Sequence, residues 1–599
     1  MRAQSSQTAL ERHVHRDLPF GPPDATVLKD PSCAAELYAW DNSAFAELLH
    51  GSHVLIGRRG AGKSALVGSL RAKRELSVKL SSDEAKAFSR EHNLSQKQMV
   101  QAPGLVVSVE TMAELWDMEK RYTDSHVDPP PEVIGPAWET RIWFLIAREY
   151  ALQRNIYALP RELRRVLQPD VDSIDVPMSA EDMAAMVQGV LKDNTLSCVV
   201  IFDSGDKYSL QGRQNALLAG LCRATSRLIA ENNGVDVKLC LPAELIDELE
   251  RHLFNPGKDF HKRQYLHWTS AELLRVAAHR LKVYLRLYST PLYGAVRGLS
   301  LHDRDQLHAF WERFLPGTVT NDMGRQEQTT TYILRHTHLL PRQVLQSFNS
   351  ICAQRKGATA QELFATPFME AEIKEGIKDA EKTNADSVTN MYGQLYDGID
   401  ELFGHTFPRL RRVVGYGELH KIWNSGIRSW LQGMDLRSYP EFVRMLLAVG
   451  AIGVVCDESS DIYVEGRFEF NAINRIDLSE KSRLCVHPMF SGRYGLQKSE
   501  PPETVRCCRA GLCRRRDHAR RHRRSVRPRQ RAISSSSQMA RRCCLRRGVS
   551  RLRADRLVVL PRQRRALAQS CRRDARGRFV SVHLLATRVR VASGSAAGD

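Results

Sequence analysis

The chain has no apolar run of the roughly 18 residues that a membrane helix needs. Its best candidate, residues 445–456, is broken by Gly450 and Gly453. A membrane is therefore not an expected partner. The first residues, MRAQSSQTALERHVHRD, contain no apolar signal core, which argues against secretion. Cysteine is sparse in the body, with 7 in residues 1–500 and none in metal-type pairs. That scatter excludes a disulfide framework and suits a reducing cytoplasm. There is no repeat array and no nuclease, protease or deaminase motif. What is present is ordinary for a soluble chain of 599 residues, with 42% hydrophobic and 26% charged side chains. The length allows three or four domains.

The formal charge of +20 is unevenly placed. Residues 501–599 hold 28 Arg, no Lys and 5 acidic residues, a net of +23, so residues 1–500 carry −3. From about Val505 hydrophobic periodicity disappears. Residues 498–599 form an Arg-rich tail, read as disordered or as the product of a shifted reading frame in a GC-rich gene. A basic arm that neutralises phosphates is the functional alternative. The Cys-Cys pairs at 507–508 and 543–544 lack the partners a zinc site needs.

The most informative stretch runs from His53 to Val67. Gly57-Arg58-Arg59-Gly60-Ala61-Gly62-Lys63-Ser64 matches G-x-x-x-x-G-K-[ST] in full, after the apolar run Val54–Ile56 and before a helix from Ser64. Glycines let the backbone turn sharply and approach phosphates, and successive N–H groups then face the anion. Residues Gly57 to Ala65 are the expected nucleotide-holding segment. Lys63 is expected to reach the β- and γ-phosphates, and Ser64 to ligate Mg²⁺. A second acidic element is needed at a strand end, and Cys198-Val-Val-Ile-Phe-Asp203 supplies it. Asp203 is expected to hold Mg²⁺ opposite Ser64, and Asp206 to polarise the attacking water. Asp206 otherwise reads as a turn residue beside Gly205.

Leu105–Val109 and Val235–Leu241 read as further strands, with helices at Trp138–Tyr150 and Gln214–Asn232. The last strand ends in Pro242-Ala-Glu244, where a γ-phosphate sensor belongs; Pro242 cannot be that sensor. Strands alternating with helices predict an α/β domain, a parallel P-loop sheet with helices on both faces. From about 268 the strands stop. Ser270 caps a predicted helix to Leu287, and Pro341 opens another. Arg342, in its first turn, is the expected lid residue facing the γ-phosphate; Arg280 is a weaker candidate. Lys374–Asp386 reads as a solvated helix or linker. Leu410–Leu431 and Tyr439–Val449 read as helices, followed by strand-like Asp461–Glu465 and Arg483–His487. This order suggests a winged helix, with its basic residues spread among acidic neighbours. The expected domains are an N-terminal extension (1–50), a P-loop ATPase α/β domain (51–267), an all-α lid (268–390), a winged-helix-like domain (391–497) and the tail.

Taken in order, these pieces resemble bacterial P-loop ATPases of the AAA/STAND superclass, in particular soluble ones whose loop reads G-R-R-G-x-G-K-[ST]-A-L. Phe20-Gly-Pro-Pro-Asp-Ala25, the loop at 57–64, Asp203, Trp268-x-x-x-Glu-Leu-Leu with its helix to Arg280, Pro341-Arg342 and His487-Pro-Met-Phe490 carry the resemblance over residues 18–497. It implies ATP and Mg²⁺ binding, a helical lid, a winged helix and nucleotide-controlled assembly such as a homo-oligomer. Relatives of this kind act in replication, regulation and defence. Two departures point to slow hydrolysis: Asp206-Lys207 stands where STAND proteins carry Asp-Glu, and the sensor strand ends in Pro242. The expected function is a slow Mg-dependent ATPase acting as a switch. The alternative is a DNA-binding regulator that uses residues 391–497 and is modulated by ATP. A small-molecule kinase is disfavoured by the lid and the length.

Overall fold

The computed structural model describes residues 10–24, 33, 36–37, 53–68, 105–120, 131–167, 178–203, 213–231, 234–253, 255, 257, 262–355, 357–428, 438–457, 463–471, 476–498 and 504–507. Five strands form the first sheet: β1 (Val54–Gly57), β2 (Leu105–Glu110), β3 (Cys198–Asp203), β4 (Val235–Pro242) and β5 (Arg263–Tyr265). All pairings are parallel, in the order β2-β3-β4-β1-β5. The strands are nearly continuous apolar runs because both faces of the sheet are covered. Side chains alternate between those faces. Val54, Ile56, Val200, Phe202 and Leu239 join one core with the helices α1 (Thr111–Lys120), α2 (Pro131–Gln153), α3 (Ala180–Asp193) and α4 (Arg213–Ala230). Leu55, Val199, Ile201 and Cys240 face the other way.

That second face is covered by the N-terminal segment and by the lid. Leu10, Val14 and Phe20 are buried in the same core as α5 (Ser270–Tyr288), α6 (Arg304–Glu312) and α7 (Pro341–Cys352). Asn349 of α7 clamps the N-terminal segment through Phe20 N (3.0 Å) and Gly21 O (3.0 Å). The cap of α5 is Thr269 rather than Ser270: Thr269 and Glu272 form a reciprocal capping box. The lid also carries a short hairpin, β6 (Thr318–Thr320) with β7 (Gln326–Gln328). The stretch expected to be solvated lies inside α8 (Glu370–Tyr392), whose Ile373, Ile377, Ala380, Glu381 and Asn384 are buried. Its lysines occupy the opposite face, so charge content alone misplaced it.

The last described domain contains α9 (Ile399–Thr406), β8 (Val413–Gly415), α10 (Tyr416–Ile422), α11 (Tyr439–Val449), β9 (Ile452–Asp457), β10 (Val464–Arg467), β11 (Arg483–Val486), α12 (Pro488–Tyr494) and β12 (Val505–Cys507). The single helix expected over 410–431 is instead a strand followed by helix, because β-branched Val413 and Val414 pair with β11. The sheet runs β12-β10-β9-β11-β8, with β12 parallel to β10 and the other pairings antiparallel, and helix, strand, two helices and the antiparallel strands make it winged-helix-like. Strand β12 falls within the segment expected to lack structure. Arg506 pairs there with Glu465 (2.7 Å) and lies over the Tyr463 ring. Residues 508–599 lie outside the described ones. Among the described residues no helix is long and apolar enough to cross a membrane.

Candidate functional site

The carboxyl ends of β1, β3 and β4 lie side by side, with Gly57 opposite Pro242 and Asp203 opposite Cys240. Ligands bind open α/β sheets at that edge. There the chain leaves β1, turns through residues 58–62 and enters a helix at 63–68. Gly60 (φ +78°) and Gly62 (φ +93°) both sit in the left-handed region that L side chains avoid. Gly57 is packed as well: a Cβ there would meet Leu266 at 3.2 Å and the Lys63 stem at 3.4 Å.

Lys63 is buried, 5% exposed, and donates to the carbonyls of Gly57 (2.8 Å) and Arg58 (3.2 Å). An ammonium has three donors, so this cinch still leaves one for a phosphate. Ser64 and Ala65 follow in the first turn of the helix. Asp203 ends β3 on the far side of β4. Cys240 is buried between them: desolvation and then the Asp203 carboxylate push its thiol up, while Lys63 pulls it down. Both charged groups therefore lie near one point of the sheet edge. Ser64 and Asp203 offer the hard oxygen donors that suit Mg²⁺. Asp206 lies outside the described residues.

The lid meets the loop directly. Arg342 N donates to Gly60 O (3.4 Å), and a Cβ on Gly60 would come 3.1 Å from the Arg342 Cβ. The Arg342 guanidinium pairs with Asp24 (3.4 Å). Arg280 does not join this group. It is 4% exposed and braces the N-terminal segment through the carbonyls of Phe20 (3.4 Å) and Pro22 (3.5 Å). Its aliphatic neighbours on α5 carry it into the core.

Several contacts of the loop were not legible from spacing. Trp268 donates its indole N–H to Ala61 O (2.7 Å) and covers the loop beside Gly62. Glu244 accepts from Arg59 N (3.3 Å). Arg58 reaches the winged helix, donating to Ala448 O at the end of α11 (2.6 Å) and lying over the Phe470 ring. Tyr392 of α8 donates to the same carbonyl (2.8 Å), and Arg59 reaches Gln394 (3.3 Å).

No protein-family model matches the chain, and no curated protein is similar to it. Among solved structures, the Orc1 protein of Aeropyrum pernix in complex with DNA is 14% identical, with a TM-score of 0.30 over 78% of this chain and 95% of that one. Cdc6p from Pyrobaculum aerophilum is 11% identical, with a TM-score of 0.26 over 75% and 88%. The Aeropyrum pernix ORC2 protein, as ADPNP–ADP complexes, is 12% identical, with a TM-score of 0.22 over 74% and 86%. Similarities this distant add nothing to what the chain's own topology defines. A parallel sheet in the order β2-β3-β4-β1-β5, a phosphate loop after β1 and a helical lid after the sheet make the fold an AAA-type P-loop one.

Proposed function

We propose that the protein binds MgATP at residues 57–65 and acts as a slow nucleotide-controlled switch whose moving part is the winged helix. The observation that carries this reading is Arg58. It belongs to the phosphate loop, yet its side chain is held by α11 and Phe470. A loop reshaped around phosphates changes that contact, so nucleotide state and domain position share one residue. Lys63 and the loop amides bind the phosphates, Ser64 and Asp203 hold Mg²⁺, and Arg342 reports the γ-phosphate to the lid. The metal, when bound, neutralises charge on the phosphates.

The DNA-reading alternative is less well supported. A reading helix presents basic side chains to a groove. Helix α11 instead buries Phe442, Val443, Met445 and Leu446 and spends its last turn on Arg58.

The test is calorimetric titration of the full chain with MgATP, beside Lys63→Ala. Binding lost in the variant supports the reading; equal affinity in both overturns it. Arg58→Ala should leave the fold intact and make the winged helix more accessible to limited proteolysis. An unchanged digestion pattern with and without ATP would remove the switch.

A further inference from the structure

We infer that Glu244 is the catalytic base of this site: its free carboxylate oxygen takes the proton of the water that attacks the γ-phosphate. This inference rests on the nucleotide-binding reading above.

In-line hydrolysis is helped by a side chain beyond the phosphate loop that orients or deprotonates the attacking water. The acid that ends β3 is followed directly by Ser204, and Asp206, the acid that the sequence offers for this role, lies outside the described residues. The next strand of the sheet supplies another. Strand β4 lies between β1 and β3, and its Pro242 stands level with Gly57, where the loop departs. Pro242 has neither an N–H nor a polar side chain to offer. Two residues further, in a 3₁₀ turn over Ala243–Leu245, Glu244 rises beside the loop.

Its two oxygens have different surroundings. Oε1 accepts from Arg59 N, which fixes the carboxylate against the loop. Oε2 is buried and has no hydrogen-bond partner. A buried carboxylate oxygen left unpaired is costly, and such groups mark places where a water or ligand belongs. Glu244 lines a cleft with Arg59 and Gly60 of the loop, Arg342 of the lid, and Val388 and Met391 of α8. The buried His338 lines the same cleft. The arginines offset the repulsion between Glu244 and the phosphate, and Oε2 is the atom to which the attacking water is assigned.

In the step, the water oxygen forms a bond to the γ-phosphorus while the bond to the β–γ bridging oxygen breaks. ADP leaves with that electron pair, and the water proton passes to Oε2. Inorganic phosphate is formed, and Glu244 then returns the proton to solvent.

The test uses the full chain with Glu244→Gln, Asp206→Asn and Lys63→Ala. Gln keeps an oxygen to accept Arg59 N–H, so the loop is retained. For Glu244→Gln the expected results are MgATP affinity within about 2-fold of the unmodified chain and single-turnover hydrolysis slowed about 100-fold or more. Intact ATP, not ADP, should be recovered from the bound state. Hydrolysis within about 3-fold of the unmodified chain would make Glu244 a strut and overturn the inference. So would loss of ATP affinity, or a loss of turnover found only in Asp206→Asn. Unchanged ATP binding in Lys63→Ala is a different failure, that of the nucleotide site itself.

Discussion

A Cβ on Gly60 would lie 3.1 Å from the Cβ of Arg342, and its φ of +78° is one that L side chains seldom adopt. Gly60→Ala should therefore destabilise the protein by about 1–2 kcal/mol through backbone strain and push the start of α7 off the loop. Urea denaturation with and without MgATP checks both effects. Trp268 tests the loop from the other side. Trp268→Phe removes the donor to Ala61 O and should cost about 1 kcal/mol, read by thermal unfolding. The loop residues were legible because their spacing is itself the chemistry: glycines for φ, lysine for charge. Arg58 and Glu244 were not, because their partners, Ala448 and the loop amide, lie 390 and 185 residues away.

Helix α8 shows how an element can hide. Its buried stripe includes Gly376, Glu381 and Asn384 among the apolar residues, so the helical apolar period is interrupted. Gly376 is there for proximity. A Cβ on it would fall 2.5 Å from Ile351 Cα on α7, inside any allowed contact. Gly376→Ala should force the two helices apart and cost about 1–3 kcal/mol, as overpacking does, visible as a lower denaturation midpoint with little change in ATP affinity. Glu381 is a different case. Burial raises its carboxyl to about 8, and it bonds to the Nδ1 of His336. A neutral acid donating to a neutral imidazole accounts for both groups.

At the scale of the whole molecule, the lid meets the winged helix through buried titratable groups. Desolvation holds His336 and His338 well below the usual imidazole range, and His487 at about 3. His338 stacks on Phe470 and meets His487 edge to face, and Arg335 pairs with Glu327 (3.2 Å) close by. A histidine depressed in the folded state is stabilising above its unfolded pKa near 6.5. That contribution is lost as pH falls, because the unfolded chain binds more protons. Glu381 works oppositely: its raised pKa makes stability fall as pH rises from about 4.3 towards 8. Three histidines outweigh one carboxyl on the acid side. Stability should therefore peak near pH 6.5, fall steeply towards pH 5 and decline gently towards pH 8. Chemical denaturation across that range checks it, and His338→Leu should flatten the acid limb.

Local features settled the phosphate loop, the apolar strands around it, the alternation of strand and helix and the proline-led start of α7. Each is written in neighbouring residues through φ preference, period or capping. The sheet order, the burial of the N-terminal segment against the lid, the role of α8 and the contact between Arg58 and the winged helix were decided only when distant segments packed. A hydrogen bond to a main-chain carbonyl leaves no trace in the partner's residue type, so Ala448 looks like any other alanine until the fold brings Arg58 to it.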